Sequence, residues 1–330
     1  MKTLTLSISL LILLFVLSCD STNKKDQVLE QVSKQVIVEL KGNITINGAD
    51  ALYPLMIIWA EEFSRDNADL KIEVLNGGTG KGLNDLLAGN CDLAMISREL
   101  DPSEEGQGLV CFRATKEGVI PIINESNPYM DEILKKGMKR EVLIEVFTGD
   151  KYQSWGEILG LENNDSVKIF TRSDLSGAAS VWAKYLGKKQ EDLKGILVED
   201  DVNIINAVIQ EPLSLSYCNA HYVFDLQEGK ILKGIKILPI DFNVNGIADK
   251  KEIFKTDICK LKRAVYLGTY PRCLCRYLYI VSKDKPENPA VIEFLKWIYS
   301  DGQAIAENSG FARLRNCDTE ELIKFLNEPL

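Results

Sequence analysis

The sequence predicts an α/β fold built on mostly parallel sheets. Three observations carry that reading. Short apolar runs suited to buried strands alternate along the chain with amphipathic stretches whose apolar residues recur at helical spacing. Loops rich in glycine, serine and aspartate stand where a strand hands over to a helix. Finally, 330 residues with 45% hydrophobic and 26% charged side chains make an ordinary globular composition, long enough for two domains at roughly 150 residues each.

The first segment is a label rather than part of the fold. Lys2 is followed by the almost wholly apolar stretch Leu4–Leu17 and then by Ser18-Cys19. That is the layout of a secretory signal, with a core too short to span a membrane comfortably. A small residue just before cysteine resembles a bacterial lipoprotein cleavage site, although Val16 stands where leucine is usual. The expectation is a signal peptide over 1–18 and an acylated Cys19 that ties the protein to a lipid bilayer by several chains. The other reading is a plain signal peptide with an incidental cysteine. Residues 19–35 are polar, lack glycine and proline, and read as a tether.

The elements follow in order. Val36–Ile46 reads as a strand, and Leu52–Phe63 as a helix with Leu55, Met56, Trp59, Ala60 and Phe63 on one face. Lys71–Leu75 is a short strand, and the turn Asn76–Gly82 opens a helix at Leu83–Leu87. Leu93–Ile96 is a buried strand. Gly118–Ile123 is a strand whose Pro121 places it at an edge or a crossover. Helices are expected near Glu132–Lys136 and Glu141–Phe147, a strand at Val167–Thr171, and a helix at Ala178–Leu186. Leu213–Tyr217, Ile235–Ile240 and Tyr277–Val281 read as strands. Pro289–Tyr299 and Gly302–Asn308 read as closing helices.

Composition excludes several functions. The net charge is 39 − 48 = −9, which argues against nucleic acid as a partner, because a basic face is what neutralises phosphates. His221 is the single histidine, so a histidine-based zinc site is excluded in practice. It lies among aromatics and reads as a partly buried side chain, with Tyr217, Tyr222 and Phe224 in the core. Beyond Cys19 there are seven cysteines, an odd number, so one at least is unpaired within a monomer. Cys91 and Cys111 read as small core residues. Cys273 and Cys275 lack the second pair that a metal site needs. No nucleophile and base assemble into a catalytic pair, so an enzyme is not expected.

Three loops share one physics. Gly48–Pro54, Gly77–Gly82 and Arg172–Ala179 each lead from a strand into a helix. The first amides of a helix have no intrahelical partner and sit at the positive end of its dipole, so such loops can cradle an anion at the carboxyl edge of a sheet. The glycine loop carries Thr79 and is not a P-loop, since Gly82 rather than serine or threonine follows Lys81. Ser97-Arg98 after a buried strand adds a fourth candidate. Each loop taken singly also reads as a well-capped helix start.

From about Ile44 to Leu314 the chain resembles the phosphate-binding (PstS-like) proteins of bacterial ABC importers, within the type II periplasmic-binding-protein superfamily. Six segments carry the likeness in the same order: GADALYPLMIIWAEEF, NGGTGKG with DLAMISREL, VFTGDKYQSWGEI, TRSDLSGAASVWAKYL, TYPRCLCRYLYIVSK and FLKWIYSDGQAIAENSGFARL. The resemblance implies two α/β lobes joined by two crossover strands, near Gly118–Asn124 and Leu274–Val281. Lobe 1 would cover 36–119 and 279–330, and lobe 2 would cover 120–278. It implies a ligand shell of Asp50, Ala51, Leu52, Thr79, Ser97, Arg98, Arg172, Ser176, Gly177 and Ala178. The partners would be phosphate or a similar oxyanion and an ABC permease. The protein would act as a monomer at the bacterial cell envelope, lipid-anchored and facing the periplasm or the cell surface.

Two departures stand out. Ala49-Asp50-Ala51 replaces a hydroxyl-rich loop, and Ala178 stands where the family has threonine. Asp50 either accepts a hydrogen bond from a protonated oxyanion or caps its helix. The loss of hydroxyls leaves open a protein that kept the fold but not the ligand, such as a non-transport anion sensor or a surface adhesion scaffold. Arginines that fit phosphate also fit a carboxylate.

A separate signal lies at 241–252. Asp241, Asn243, Asn245, Ile247, Asp249 and Glu252 fall at the ligand positions of a twelve-residue EF-hand calcium loop, Ile247 through its carbonyl, with Gly246 at the turn. A structural calcium of modest affinity is the expectation. The alternative is a polar turn without metal.

Overall fold

The computed structural model describes residues 40–149, 151–174, 176–225, 228–254 and 258–329. The apolar leader, Cys19 and the tether lie outside the described residues, as does the start of the first expected strand.

The first part of the chain alternates as its pattern requires. Strand β1 (Gly42–Gly48) leads to helix α1 (Tyr53–Arg65), β2 (Leu70–Asn76) to α2 (Gly78–Leu87), and β3 (Leu93–Ile96) to the single turn α3 (Pro102–Glu105). β1 pairs in parallel with both β2 and β3. Helix α1 buries the face that the sequence marked, Leu55, Met56, Trp59, Ala60 and Phe63. Its Trp59 indole donates to Gly302 O at 2.8 Å, tying the first helix to the last third of the chain.

Strand β4 (Leu109–Asn124) is sixteen residues long and joins the two halves. Over 109–118 it pairs antiparallel with β11 (Cys275–Lys283), which also borders β3. From Val119 onward it pairs with β7 (Ser214–Asn219), and at 122–124 with β10 (Ile235–Ile237). Pro121 therefore lies at the crossover, after β11 has left the ladder and just before β10 joins it. The Pro121 carbonyl accepts from the Leu238 amide at 3.0 Å, and regular pairing with β10 covers only 122–124, so the missing amide hydrogen is tolerated at this break between ladders.

The second half is a separate α/β layer. Helices α4 (Met130–Lys136), α5 (Arg140–Thr148) and α6 (Trp155–Leu159) precede β5 (Lys168–Arg172), α7 (Gly177–Leu186), β6 (Ile196–Val198) and α8 (Asp201–Gln210). β5 runs parallel to β6 and β7. A minor hairpin, β8 (Phe224–Asp225) with β9 (Lys230–Ile231), stands apart from the main sheet. Its core contains Phe147, Trp155, Trp182 and Tyr217, with the Trp182 and Tyr217 rings stacked 5.5 Å apart. Helix α9 (Ile258–Leu267) leads into β11, and α10 (Pro289–Tyr299), α11 (Asp301–Asn308) and α12 (Asn316–Asn327) close the chain. The main sheet runs β2-β1-β3-β11-β4-β7-β5-β6, with β10 beside β4.

Several elements differ from expectation. The strand predicted at Ile235–Ile240 is regular only over Ile235–Ile237. Helices α3, α6, α8, α9 and α12 lie outside the expected elements. α8 is legible in hindsight: Asp200 accepts from the Asn203 amide, and Ile204, Ile205 and Val208 form a narrow buried stripe. Helix α2 starts at Gly78, five residues earlier than expected, so most of the glycine loop is helical. Propensity disfavours this. Close packing requires it: a Cβ at Gly82 would lie 2.6 Å from Gly48 Cα, so only glycine lets α2 approach β1.

The seven cysteines from Cys91 to Cys317 are all free among the described residues. Cys91 is buried, as expected of a small core residue, and Cys111 is half-buried.

Candidate functional site

The strand-to-helix loops of both halves open onto one cleft of about 980 Å³. Its walls include Asp50, Ala51, Gly77, Thr79, Ser97 and Arg98 from the first half. Arg172, Asp174, Ser176, Gly177, Asp201 and Asn219 come from the second, and Arg276 from β11. The distant loops converge on one space, and of the expected shell all but Leu52 and Ala178 line it.

The N-terminus of α7 is built for this position. Ser176 is its N-cap, and the hydroxyl accepts from the amides of Ala178 at 3.2 Å and Ala179 at 3.4 Å. Gly177's amide is the one at this helix start that Ser176 does not take. Across the cleft, Thr79 Oγ1 accepts from the Ser97 amide at 3.2 Å and lies 3.4 Å from Ser97 Oγ. Asp50 lines the cleft together with Asn76. Burial raises its carboxyl above the ordinary value, against the pull of Arg172. Leu52 is the N-cap of helix α1 and no side chain caps that end, so Asp50 is not spent on capping it.

Three of the expected shell residues are placed differently from the rest. Leu52 is fully buried, does not line the cleft, and donates its amide to Ala49 O at 3.1 Å. Ala178 is likewise buried, and its amide is taken by Ser176. Arg98 reaches the cleft wall, but its guanidinium turns to α3. Its Nη1 and Nη2 donate to Glu104 at 2.7 and 2.8 Å, and Nη1 also donates to Glu99 O. The Glu104 bond raises the Arg98 pKa, and the Arg98 bond lowers that of Glu104.

Arg172 is buried where the sequence placed it, and it is already held. Its Nε and Nη2 donate to Asp174 at 2.7 and 2.6 Å, and Nη1 donates to Asp201 at 2.8 Å. Burial opposes its charge, and the two carboxylates more than restore it.

The residues that sequence reasoning missed continue from there as a buried network. Asp201 accepts from the Asn219 amide and side chain at 2.9 and 3.0 Å. Asn219 Oδ1 accepts from Arg276 Nη2 at 2.8 Å. Arg276 Nε and Nη2 donate to Glu117 Oε1 at 3.0 and 2.6 Å, and Glu117 Oε2 lies 3.0 Å from His221 Nδ1. Burial would raise the Glu117 carboxyl; the Arg276 charge and the His221 bond outweigh it and hold it below the ordinary range. Arg276 Nη1 is buried without a partner among the described residues. Arg276 does stand in the return-strand segment that carried the resemblance, but that segment does not reveal its role, because its partners lie far away in sequence. His221 is buried, as are Tyr217 and Phe224, while Tyr222 is half-buried.

The PBP superfamily domain matches residues 31–302, most of the chain. The chain belongs to the PBP superfamily. Phosphate-binding proteins PstS of Staphylococcus aureus, from strains bovine RF122 / ET3-1 and COL, are 24% identical over 280 residues. Those alignments span 83% of this chain and 79% of theirs. Among solved structures, a putative phosphate ABC transporter substrate-binding protein with bound phosphate from Clostridium perfringens superposes with a TM-score of 0.66 at 22% identity. It covers 83% of this chain and 100% of that one. An ABC-type phosphate transport receptor from Vibrio cholerae gives 0.62 at 18% identity, covering 82% and 100%. Together they establish the two-lobed type II fold for this member.

The loop at 241–252 stands away from the cleft. Asp241 accepts from the amides of Asn245 at 3.1 Å and Gly246 at 2.8 Å. Glu252 accepts from those of Phe242 at 2.9 Å and Asp249 at 2.8 Å. Among the described residues no group of three His, Cys, Asp or Glu side chains could hold a metal. A cation here would rely on Asn243, Asn245 and the Ile247 carbonyl as well.

Proposed function

We propose that the protein is a solute receptor that captures phosphate in the cleft and delivers it to an ABC permease. One observation carries the reading most: hydroxyls and amides of opposing halves, Thr79 and Ser97 against Ser176 and Gly177, face one space beside buried guanidinium groups. The relatives named for phosphate binding support the choice of anion. The floor holds two arginines, Arg172 and Arg276, against three carboxylates, Asp174, Asp201 and Glu117. On the floor each arginine is thus matched by carboxylates, so aimed N–H and O–H donors hold the ligand there, while Lys81, Lys184, Lys188 and Lys189 line the cleft farther out. Asp50 accepts a hydrogen bond from a proton on the anion, which selects phosphate over sulfate. Closing of the lobes on the ligand follows from donors divided between them.

Isothermal titration of the purified chain tests this: phosphate should release heat with saturation, and sulfate should not. Equal binding of both would remove Asp50's role, and no binding of phosphate would favour a non-transport scaffold. Cys19 is proposed as the acylated anchor; Cys19→Ser should release the protein from the membrane fraction. The receptor is proposed to work as a monomer, which its sedimentation would check. Loop 241–252 is proposed to take calcium at about 10⁻⁴–10⁻³ M, as extracellular modules do. The support is the match of ligand residue types at six positions. An unchanged thermal midpoint at millimolar calcium would reduce the loop to a polar turn.

A further inference from the structure

We infer that Arg276 Nη1 is a direct donor to the bound anion, in the place that the resemblance implied for Arg98. The assignment rests on the receptor reading and adds a ligand residue to it. Arg276 is 9% exposed, and its other nitrogens are committed: Nε and Nη2 to Glu117, and Nη2 also to Asn219. That leaves Nη1 without a partner, buried and aimed at the start of α7. A Cβ built on Gly177 would lie 2.2 Å from Nη1 and 2.6 Å from Ser97 Oγ. The guanidinium edge, the lobe 1 hydroxyl and the α7 N-terminus therefore meet at one point. An anion accepting from the Gly177 amide lies within reach of both other donors.

Alternative donors are less available. Arg98 spends both terminal nitrogens on Glu104. Arg172 gives Nε and both terminal nitrogens to Asp174 and Asp201. A buried guanidinium nitrogen without a protein partner is unfavourable, and a charge-assisted bond to an oxyanion relieves it. Position adds a consequence. Arg276 and Glu117 are register partners on β11 and β4, the two strands that cross between the halves. A ligand bound to Nη1 thus touches the crossover itself.

The test is calorimetry with inorganic phosphate on the full chain and on Arg276→Lys. Lysine keeps a positive charge beside Glu117 but cannot supply the planar Nη1. Affinity should fall at least about tenfold, with more loss than Arg98→Ala produces. Arg276→Lys binding phosphate as the parent does would overturn the assignment. Should the variant fold poorly, ¹⁵N guanidinium resonances of the parent decide: the Arg276 Nη signal must shift on saturation with phosphate, and a fixed signal refutes the contact. If the parent itself binds no phosphate, the receptor reading has failed, which is a different result from a parent that binds and a variant that binds equally.

Discussion

Arg98 and Arg276 both border the cleft, and they differ in what surrounds them. Arg98 keeps 40% of its side chain exposed and grips Glu104, a partner six residues away that is itself 20% exposed. Arg276 keeps 8% exposed and grips Glu117, 159 residues away and 1% exposed. The first pair is a solvated clasp, worth about 0–1 kcal/mol. The second could form only after two strands had met, and it is buried with one nitrogen to spare. An arginine near a ligand is not by that fact a ligand group; its unpaired hydrogen-bonding capacity decides.

The comparison can be broken at four points. Removing the acid of the buried pair should do most: Glu117→Ala strands Arg276 as an uncompensated buried charge and should cost about 3–5 kcal/mol in urea unfolding. A loss below about 1 kcal/mol would mean that water reaches the pair. Next, Gly177→Ala pushes a methyl into the space between Arg276 Nη1 and Ser97 Oγ. Phosphate affinity should drop more than about tenfold, and the thermal midpoint should fall as well, because Arg276 must shift within its buried bonds to Glu117 and Asn219.

Acid gives the third. Glu117 titrates lower in the folded protein than in the unfolded chain. Its contribution is therefore fully present above the unfolded value, about pH 4.3, and is lost as pH falls through the folded one. Stability should decline in that acid window, and Glu117→Gln should flatten the decline. A parallel curve would assign acid sensitivity to other carboxylates such as Asp174, which is also lowered: burial opposes its charge, and the Arg172 bond outweighs it. The smallest effect belongs to the solvated clasp. Arg98→Ala should lower stability by no more than about 1 kcal/mol. A larger loss would show that α3 depends on that contact.

Much of the fold was legible from local pattern. The faces of α1 and α10 and the run at β3 follow from periodicity, and their boundaries lie within two residues of expectation. The site was half legible. Thr79, Ser97, Arg172, Ser176 and Gly177 stand at strand-to-helix junctions, and a junction is a local feature. Leu52 and Ala178 stand at such junctions too, but their amides turn to Ala49 and Ser176, and the one-dimensional pattern does not say which amide a cap consumes.

The sequence by itself determined the alternation of strand and helix, the three helix-start loops and the family, because each depends on residues close in the chain. Only the tertiary structure decided which guanidinium remains available. That outcome depends on where carboxylates from remote segments come to rest, and on how much water is left around each pair once the two crossover strands have packed.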